Sequence, residues 1–243
     1  MELKEFIYKR KSVRSYTGEP VNKETLDQIL AFAKNARPLY DNIKVRAEIV
    51  DKKEVKCILP WITPQLIAIF SEDKEGALEN AGFIFQQVDL YLQSLGLGAC
   101  WLGMGKITPA VDNKVNDGMK FVILMTVGYP KGEGTRNSLN EFKRKSLGDI
   151  SDQVDERLKP AQYAPSSVNS QPWYFVHDGN VIHVYCVLQG FLKMKMLGDM
   201  NLIDMGIALA HLYVANPDTF RFFKEKNVKE VKGYGYIGSI CLD

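Results

Sequence analysis

A four-residue string occurs twice in this chain. Lys9-Arg10-Lys11-Ser12 returns as Lys143-Arg144-Lys145-Ser146, 134 residues later. Basic strings recur by chance on solvated surfaces, but here the same order of features follows each copy. After the first come a helix-like stretch at 23–36 and the loop Pro38-Leu39-Tyr40-Asp41-Asn42. After the second come residues 151–163 and the loop Pro165-Ser166-Ser167-Val168-Asn169. The two prolines lie 127 residues apart, as do Asn42 and Asn169. Each loop leads into a hairpin-like region, and the second has Asp178-Gly179 as its turn. A long apolar helix follows at 80–95 and again at 202–215, with Gly82 and Gly206 in matching places. Each half closes on a strand, 120–128 and 233–242. The repeat therefore predicts an α+β fold of two similar units, 1–142 and 143–243, joined in one compact body.

The bulk properties fit an ordinary globular protein. Of the 243 residues, 46% are hydrophobic and 25% charged, enough to bury a sizeable core. A net charge of +2 gives no reason to expect a nucleic acid or an acidic membrane as partner. Cys57, Cys100, Cys186 and Cys241 are scattered without a CxxC pair, so no metal knuckle or redox pair is encoded locally. Free thiols and an N-terminus without an apolar signal core lead to the expectation of a soluble cytoplasmic protein. The apolar run at 58–70 is broken by Thr63, Pro64 and Gln65 and is too short to span a bilayer.

Three segments carry chemistry. In Tyr8-Lys9-Arg10-Lys11-Ser12-Val13-Arg14-Ser15-Tyr16, the residues Arg10, Ser12 and Arg14 alternate. On an extended segment they share one side, and paired guanidiniums suit a phosphate. The segment 94–105 reads Ser-Leu-Gly-Leu-Gly-Ala-Cys-Trp-Leu-Gly-Met-Gly. Its first glycine closes the preceding helix, and the others let backbone approach a ligand closely. The loop 164–175, Ala-Pro-Ser-Ser-Val-Asn-Ser-Gln-Pro-Trp-Tyr-Phe, is stiffened by prolines and ends on an aromatic strand around a buried Trp173. His177 and His183 flank the hairpin turn and read as surface positions, whereas His211 reads as a satisfied core histidine. No Ser-His-Asp order, HExxH or phosphate loop is present.

Together with Gly128-Tyr129-Pro130, these strings resemble the signatures of the nitroreductase family, whose members bind FMN. The resemblance implies a nitroreductase-like fold with mixed, mainly antiparallel sheets packed with helices. It implies that FMN phosphate and the polar edge of the flavin meet Arg10, Lys11, Ser12 and Arg14. The backbone of Leu102, Gly103 and Met104 would approach flavin N5. Pro165, Ser166, Ser167 and Asn169 would form the second wall, and Arg144 and Lys145 would add phosphate contacts. No side chain is assigned as acid or base, because the flavin carries the reaction.

Family members are homodimers in which each site takes its basic motif from one subunit and its polar loop from the other. Within this chain the pairing of 10–14 with 165–169 is complete. The reciprocal pairing of 144–148 with 38–42 is not, because Gly148 replaces the second arginine and Leu39 and Tyr40 replace the serines. The resemblance therefore implies one FMN per chain in an intrachain pseudo-dimer, a monomer with a homodimer as the alternative. The implied activity passes hydride from NAD(P)H through FMN to a small aromatic acceptor, a nitroaromatic or a quinone. A flavin-binding protein for storage or sensing, and a flavin-free relic, are the alternatives. The sequence does not choose between NADH and NADPH.

Overall fold

The computed structural model describes residues 2–61, 63–115, 118–188 and 191–243, with the side chains of 114 and 191–198 outside that description. The first part of the chain runs α1 (Lys4–Ile7), α2 (Lys23–Asn35), β1 (Val45–Asp51), β2 (Val55–Lys56), β3 (Gln65–Ser71), α3 (Ala77–Ser94), β4 (Gly98–Leu102), β5 (Lys106–Ile107), α4 (Pro109–Val115) and β6 (Lys120–Gly128). The second runs α5 (Leu147–Ile150), α6 (Lys159–Gln162), β7 (Trp173–Asp178), β8 (Val181–Val187), α7 (Phe191–Ala215), β9 (Arg221–Phe223) and β10 (Tyr234–Cys241).

Local chemistry sets the boundaries. Asn22 caps α2 by accepting the Thr25 N–H at 2.9 Å. The helix stops before Arg37, which Pro38 disfavours in helical geometry. At the end of α3, Gly96 takes φ 74° and the Leu97 N–H returns to the Leu92 carbonyl at 2.9 Å. That is the glycine-terminated helix end expected from the sequence. In the β7–β8 hairpin Asp178 pairs with Val181, so the two-residue turn is Gly179-Asn180, with Gly179 at φ 61°.

The two four-stranded antiparallel sheets have the same plan. The first has the order β1-β3-β6-β4 and the second β7-β8-β10-β9. In each, a hairpin or paired edge comes first, a long helix follows, the next strand takes the far edge, and the last strand inserts between. The fold is thus α+β, with antiparallel sheets, as expected. Two elements depart from the sequence reading. Residues 98–102, expected as part of a glycine-rich loop, form edge strand β4 paired with β6. Gly98 is needed there because a Cβ would meet the Val13 side chain at 2.6 Å. Helix α7 begins at Phe191, eleven residues before the expected start.

The long helices α3 and α7 lie against each other at the centre. A Cβ on Gly82 would collide with the Ile203 carbonyl oxygen, and one on Gly206 with the Glu79 carbonyl oxygen. Each helix therefore presents a glycine to the backbone of the other. Around this crossing Phe83, Val88, Ile207, Leu209 and Leu212 are fully or almost fully buried, in one core that also takes in Trp173, Phe175 and Val184. Trp173 thus has the structural position expected of it. Among the described residues, no helix is long and apolar enough to cross a membrane.

Candidate functional site

Segment 10–16 is extended, as its alternation predicts. Arg10 bridges Thr135, Ser12 bridges Ala99 and Tyr16 bridges Pro130. The Val13 N–H donates to the Ala99 carbonyl at 2.9 Å, which fastens the segment alongside β4. Arg10 is only 1% exposed, and its Nε donates to Asp89 Oδ2 on α3 at 2.8 Å. Its Nη2 donates to Ser12 Oγ at 3.0 Å, and its Nη1 is buried with no partner. A buried guanidinium nitrogen without an acceptor is costly unless an anion meets it.

Two more arginines converge on this point. Arg136 donates from its backbone to the Lys9 carbonyl at 2.6 Å and from Nη1 to the Arg10 carbonyl. Arg144 donates from Nη1 to Asn169 Oδ1 at 2.6 Å, and its Nε is buried without a partner. Both cations stack over Phe142, at 4.1 and 5.5 Å. Burial, reinforced by Arg10, pushes each of them down to about 10. Arg14 and Arg136 add to the positive field, since Arg14 acts on Arg136 and Arg136 acts on Arg144. Among the described residues, only Asp89 forms an ion pair with any of the three clustered arginines. A desolvated cluster of like charges with two orphaned N–H groups is a receptor for a multiply charged oxyanion.

Asp89 also reaches into the second half. Gln86 Nε2 donates to Asp89 Oδ2 at 3.0 Å and meets His211 Nε2 at 3.1 Å. His211 Nδ1 faces the Pro160 carbonyl at 2.9 Å, so Nδ1 carries the proton and Nε2 accepts. Burial, helped by the positive field of Arg10 and Arg144, holds His211 down at about 3 and hence neutral. The satisfied core histidine expected from sequence is what the fold contains. His177 and His183 are not surface groups. His177 is clasped by Asp152 at 2.7 Å and Asp155 at 3.0 Å, and buried His183 meets Ser239 Oγ at 2.9 Å.

Loop 165–171 is held in an unusual conformation. Val168, Asn169 and Gln171 have φ of 47°, 57° and 49°. Left-handed backbone is uncommon for non-glycine residues and rare for a β-branched one. The Ser167 N–H lies 3.1 and 3.0 Å from the two oxygens of Asp204 on α7. Ser166 Oγ accepts the Gln171 N–H at 2.9 Å. Asn169 Nδ2 donates to the Lys143 carbonyl at 2.8 Å, so the loop is tied to the basic segment at 143–145. Lys145 is spent on the same tie, from its N–H to Gln171 Oε1 and from Nζ to the Gln171 carbonyl.

The turn after β4 completes the enclosure. Leu102 is fully buried, while Gly103 and Met104 are exposed. A Cβ on Gly103 would meet Met200 Sδ of α7 at 2.7 Å. The contacts therefore close a ring. They run from Gly103 to Met200, along α7 to Asp204, through Ser167 to Asn169 and Arg144, into the field of Arg10, and back through Ser12 to Ala99. The fold brings together Arg10, Ser12, Gly103, Arg144, Ser166, Ser167 and Asn169 from distant stretches of sequence. Arg14 stands at the rim with its guanidinium 4.8 Å from the Trp61 ring centre, and Lys11 Nζ points to the Glu133 carbonyl at 3.5 Å. Pro165 is buried beneath the loop.

Sequence reasoning missed Arg136, Asp89 and Asp204. It also missed Asn201, buried to 2% with both amide atoms unpartnered. Arg136 had a signal, because it lies closer to Gly128-Tyr129-Pro130 than the basic cluster chosen instead. On the opposite side, Arg37 lies 4.9 Å from the Tyr213 ring centre, beside a cavity of about 510 Å³ that Phe32, Gln87 and Ala215 help to line. Among the described residues, no group of three or more His, Cys, Asp or Glu side chains could hold a metal ion.

Comparison with known proteins gives one family. A family profile described as "Putative TM nitroreductase" matches residues 2–216. A crystal structure titled that of "a putative nitroreductase" from Thermotoga maritima superimposes with a TM-score of 0.65 at 19% identity, covering 100% of this chain and 93% of that one. A nitroreductase family protein from Clostridium difficile 630 gives 0.49 at 19% identity, over 62% of this chain and 96% of that one. A protein titled FMN-dependent nitroreductase from Clostridium difficile R20291 gives 0.42 at 25% identity, over 53% and 87%. Among curated proteins, none matches the chain.

Proposed function

The chain belongs to the TM nitroreductase family, and from that premise we propose that it is an FMN-dependent oxidoreductase. In this reading it takes hydride from NAD(P)H and passes electrons to a small aromatic acceptor of the nitroaromatic or quinone type. One FMN lies between the halves 1–142 and 143–243, which stand in for the two subunits of a dimer. The observation that carries the reading is the pair of orphaned buried N–H groups, Arg10 Nη1 and Arg144 Nε, inside a cluster of cations. They fit the phosphate of FMN, which offers several anionic oxygens.

When bound, FMN supplies the redox chemistry, accepting and releasing hydride at its flavin ring. The chain's own residues do the rest. Arg10, Arg136 and Arg144 neutralise the phosphate. Asp89 fixes the Arg10 fork through Nε and leaves Nη1 for the ligand. Ser12 and the loop 165–169 wall the site from its two sides. The exposed turn after β4 offers backbone to the ring at Gly103, where there is no side chain. No acid or base side chain is assigned.

A visible absorbance spectrum tests the proposal. The protein should bind FMN, bleach with NADPH or NADH, and recover its colour with a quinone. Colour without bleaching would mean a storage or sensing protein, and no colour after incubation with FMN would mean a flavin-free relic. Titration should saturate near one flavin per chain, with light scattering giving a mass near 27.5 kDa. Two flavins per chain would defeat the single-site reading. A dimer that loses FMN on dissociation would place the site between chains.

A further inference from the structure

We propose that Asp204 is the positioning residue of loop 165–171, holding it in the left-handed conformation that the flavin site uses. The role at the flavin rests on the function proposed above, whereas the grip on the loop does not. Asp204 is 3% exposed, and its carboxyl takes the Ser167 N–H with both oxygens in reach. Three non-glycine residues just beyond Ser167 have positive φ. A segment in so unfavoured a geometry persists only where its surroundings over-determine it. The ties through Lys143, Arg144 and Lys145 hold its far end, and Asp204 holds its near end.

The first half contains the same device. Asn80 on α3 is fully buried, and its Oδ1 accepts the Leu39 and Tyr40 N–H groups at 2.8 and 3.0 Å. Asn80 stands two residues before Gly82, and Asp204 two residues before Gly206. Each long helix thus reaches from the same depth, beside the same crossing, to the first residues of its own loop. The loop held by Asn80 lacks the serines and has no left-handed residue, so that grip serves packing. The loop held by Asp204 keeps both serines. Asn80 is therefore an internal control.

Four proteins separate the roles: the unmutated chain, Asp204→Ala, Asp204→Asn and Asn80→Ala. The first readout is hydrogen exchange at the amides of 167–169, which needs no flavin. Exchange should accelerate in Asp204→Ala, stay slow in Asp204→Asn, whose amide oxygen still accepts, and stay slow in Asn80→Ala. The second readout is FMN affinity by fluorescence quenching. Asp204→Ala should weaken it by about tenfold or more, Asp204→Asn should remain within about threefold, and Asn80→Ala should leave it unchanged. Should Asp204→Ala fail to fold, a loss of slow exchange in Asp204→Leu or Asp204→Ser, with Asp204→Asn intact, carries the same weight. Unchanged exchange in Asp204→Ala overturns the proposal whether or not flavin binds. Equal FMN affinity in Asp204→Ala and the unmutated chain overturns the role at the site. Failure of the unmutated chain to bind FMN sinks the function proposed above, and the exchange result then decides the grip alone.

Discussion

At matched depth on the two central helices, α3 carries Asn80 and α7 carries Asp204, and each holds the loop in front of it. From there the halves diverge. In front of Asp204 the loop keeps Ser166 and Ser167 and faces three clustered arginines, two of them, Arg10 and Arg144, with unfilled hydrogen-bonding capacity. In front of Asn80 the loop carries Leu39, Tyr40 and Asp41, and Tyr40 packs edge-on to Phe222 at 5.4 Å. The nearby cation, Arg37, rests on aromatic rings instead of waiting for an anion. The framework of sheet, helix and loop grip is common to both. The ligand-facing side chains are not, so fold and site are under separate physical control: one needs shape, the other needs charge.

The largest test of that separation is at the shared framework. Gly206→Val should cost more than about 3 kcal/mol, because its Cβ meets backbone that has no room to give. Denaturant melting measures it, and near-normal stability would show that the helices do not meet as described. Next, Trp173→Ala should cost about 3–5 kcal/mol, the usual range for a core aromatic, while leaving FMN affinity in the surviving folded protein little changed. A selective loss of flavin would move Trp173 from the framework to the site.

Charge comes third. Arg10→Ala should weaken FMN by about 1.5–3 kcal/mol, read by fluorescence titration, with Arg14→Ala weaker in effect and Arg37→Ala without effect. The order follows from burial: Arg10 is enclosed with a free Nη1, Arg14 is exposed at the rim, and Arg37 belongs to the other half. Equal losses at Arg10 and Arg37 would erase the contrast between the halves. The last test is of pH dependence, an effect spread over several pH units. Burial pushes the Asp204 carboxyl up to about 8. The folded state then keeps a proton that the unfolded chain loses near pH 4. Asp204 therefore contributes stability that is fully present below about pH 4 and is lost as pH rises towards 8, by at most about 1.4 kcal/mol per pH unit. Chemical denaturation across that window should show a flatter profile in Asp204→Asn. Identical profiles would remove the titrating role and leave the grip.

Much of the framework was legible because it is written in local patterns. The apolar density of 80–95 and the terminal runs at 120–128 and 233–242 match α3, β6 and β10 closely, since burial on several faces leaves few alternatives. The repeat was legible in two short strings and in the order of features. Residues 98–102 do not announce a strand, because glycines suggest a loop and only contact with Val13 explains Gly98. The apolar pattern places the start of α7 too late, because Lys193, Lys195 and Asp199 interrupt it. In the site, Arg10 and the serine loop stood out by spacing. Asp89 and Asp204 did not, because an acid on a helix reads as a solvated face until the partner from another part of the chain is in view. Arg136 is hidden within a polar, turn-rich stretch for the same reason.

The glycine crossing of α3 and α7 has a consequence for how the molecule comes apart. With glycine at the two closest approaches of the helices and buried side chains around them, neither half can loosen at the seam without exposing the buried faces of both. Two units alike in plan would then behave as a single foldon. Calorimetry should record one endotherm whose van't Hoff and calorimetric enthalpies agree. The amides of α3 and α7 beside the crossing should be the last in the protein to take up deuterium, released only by global opening.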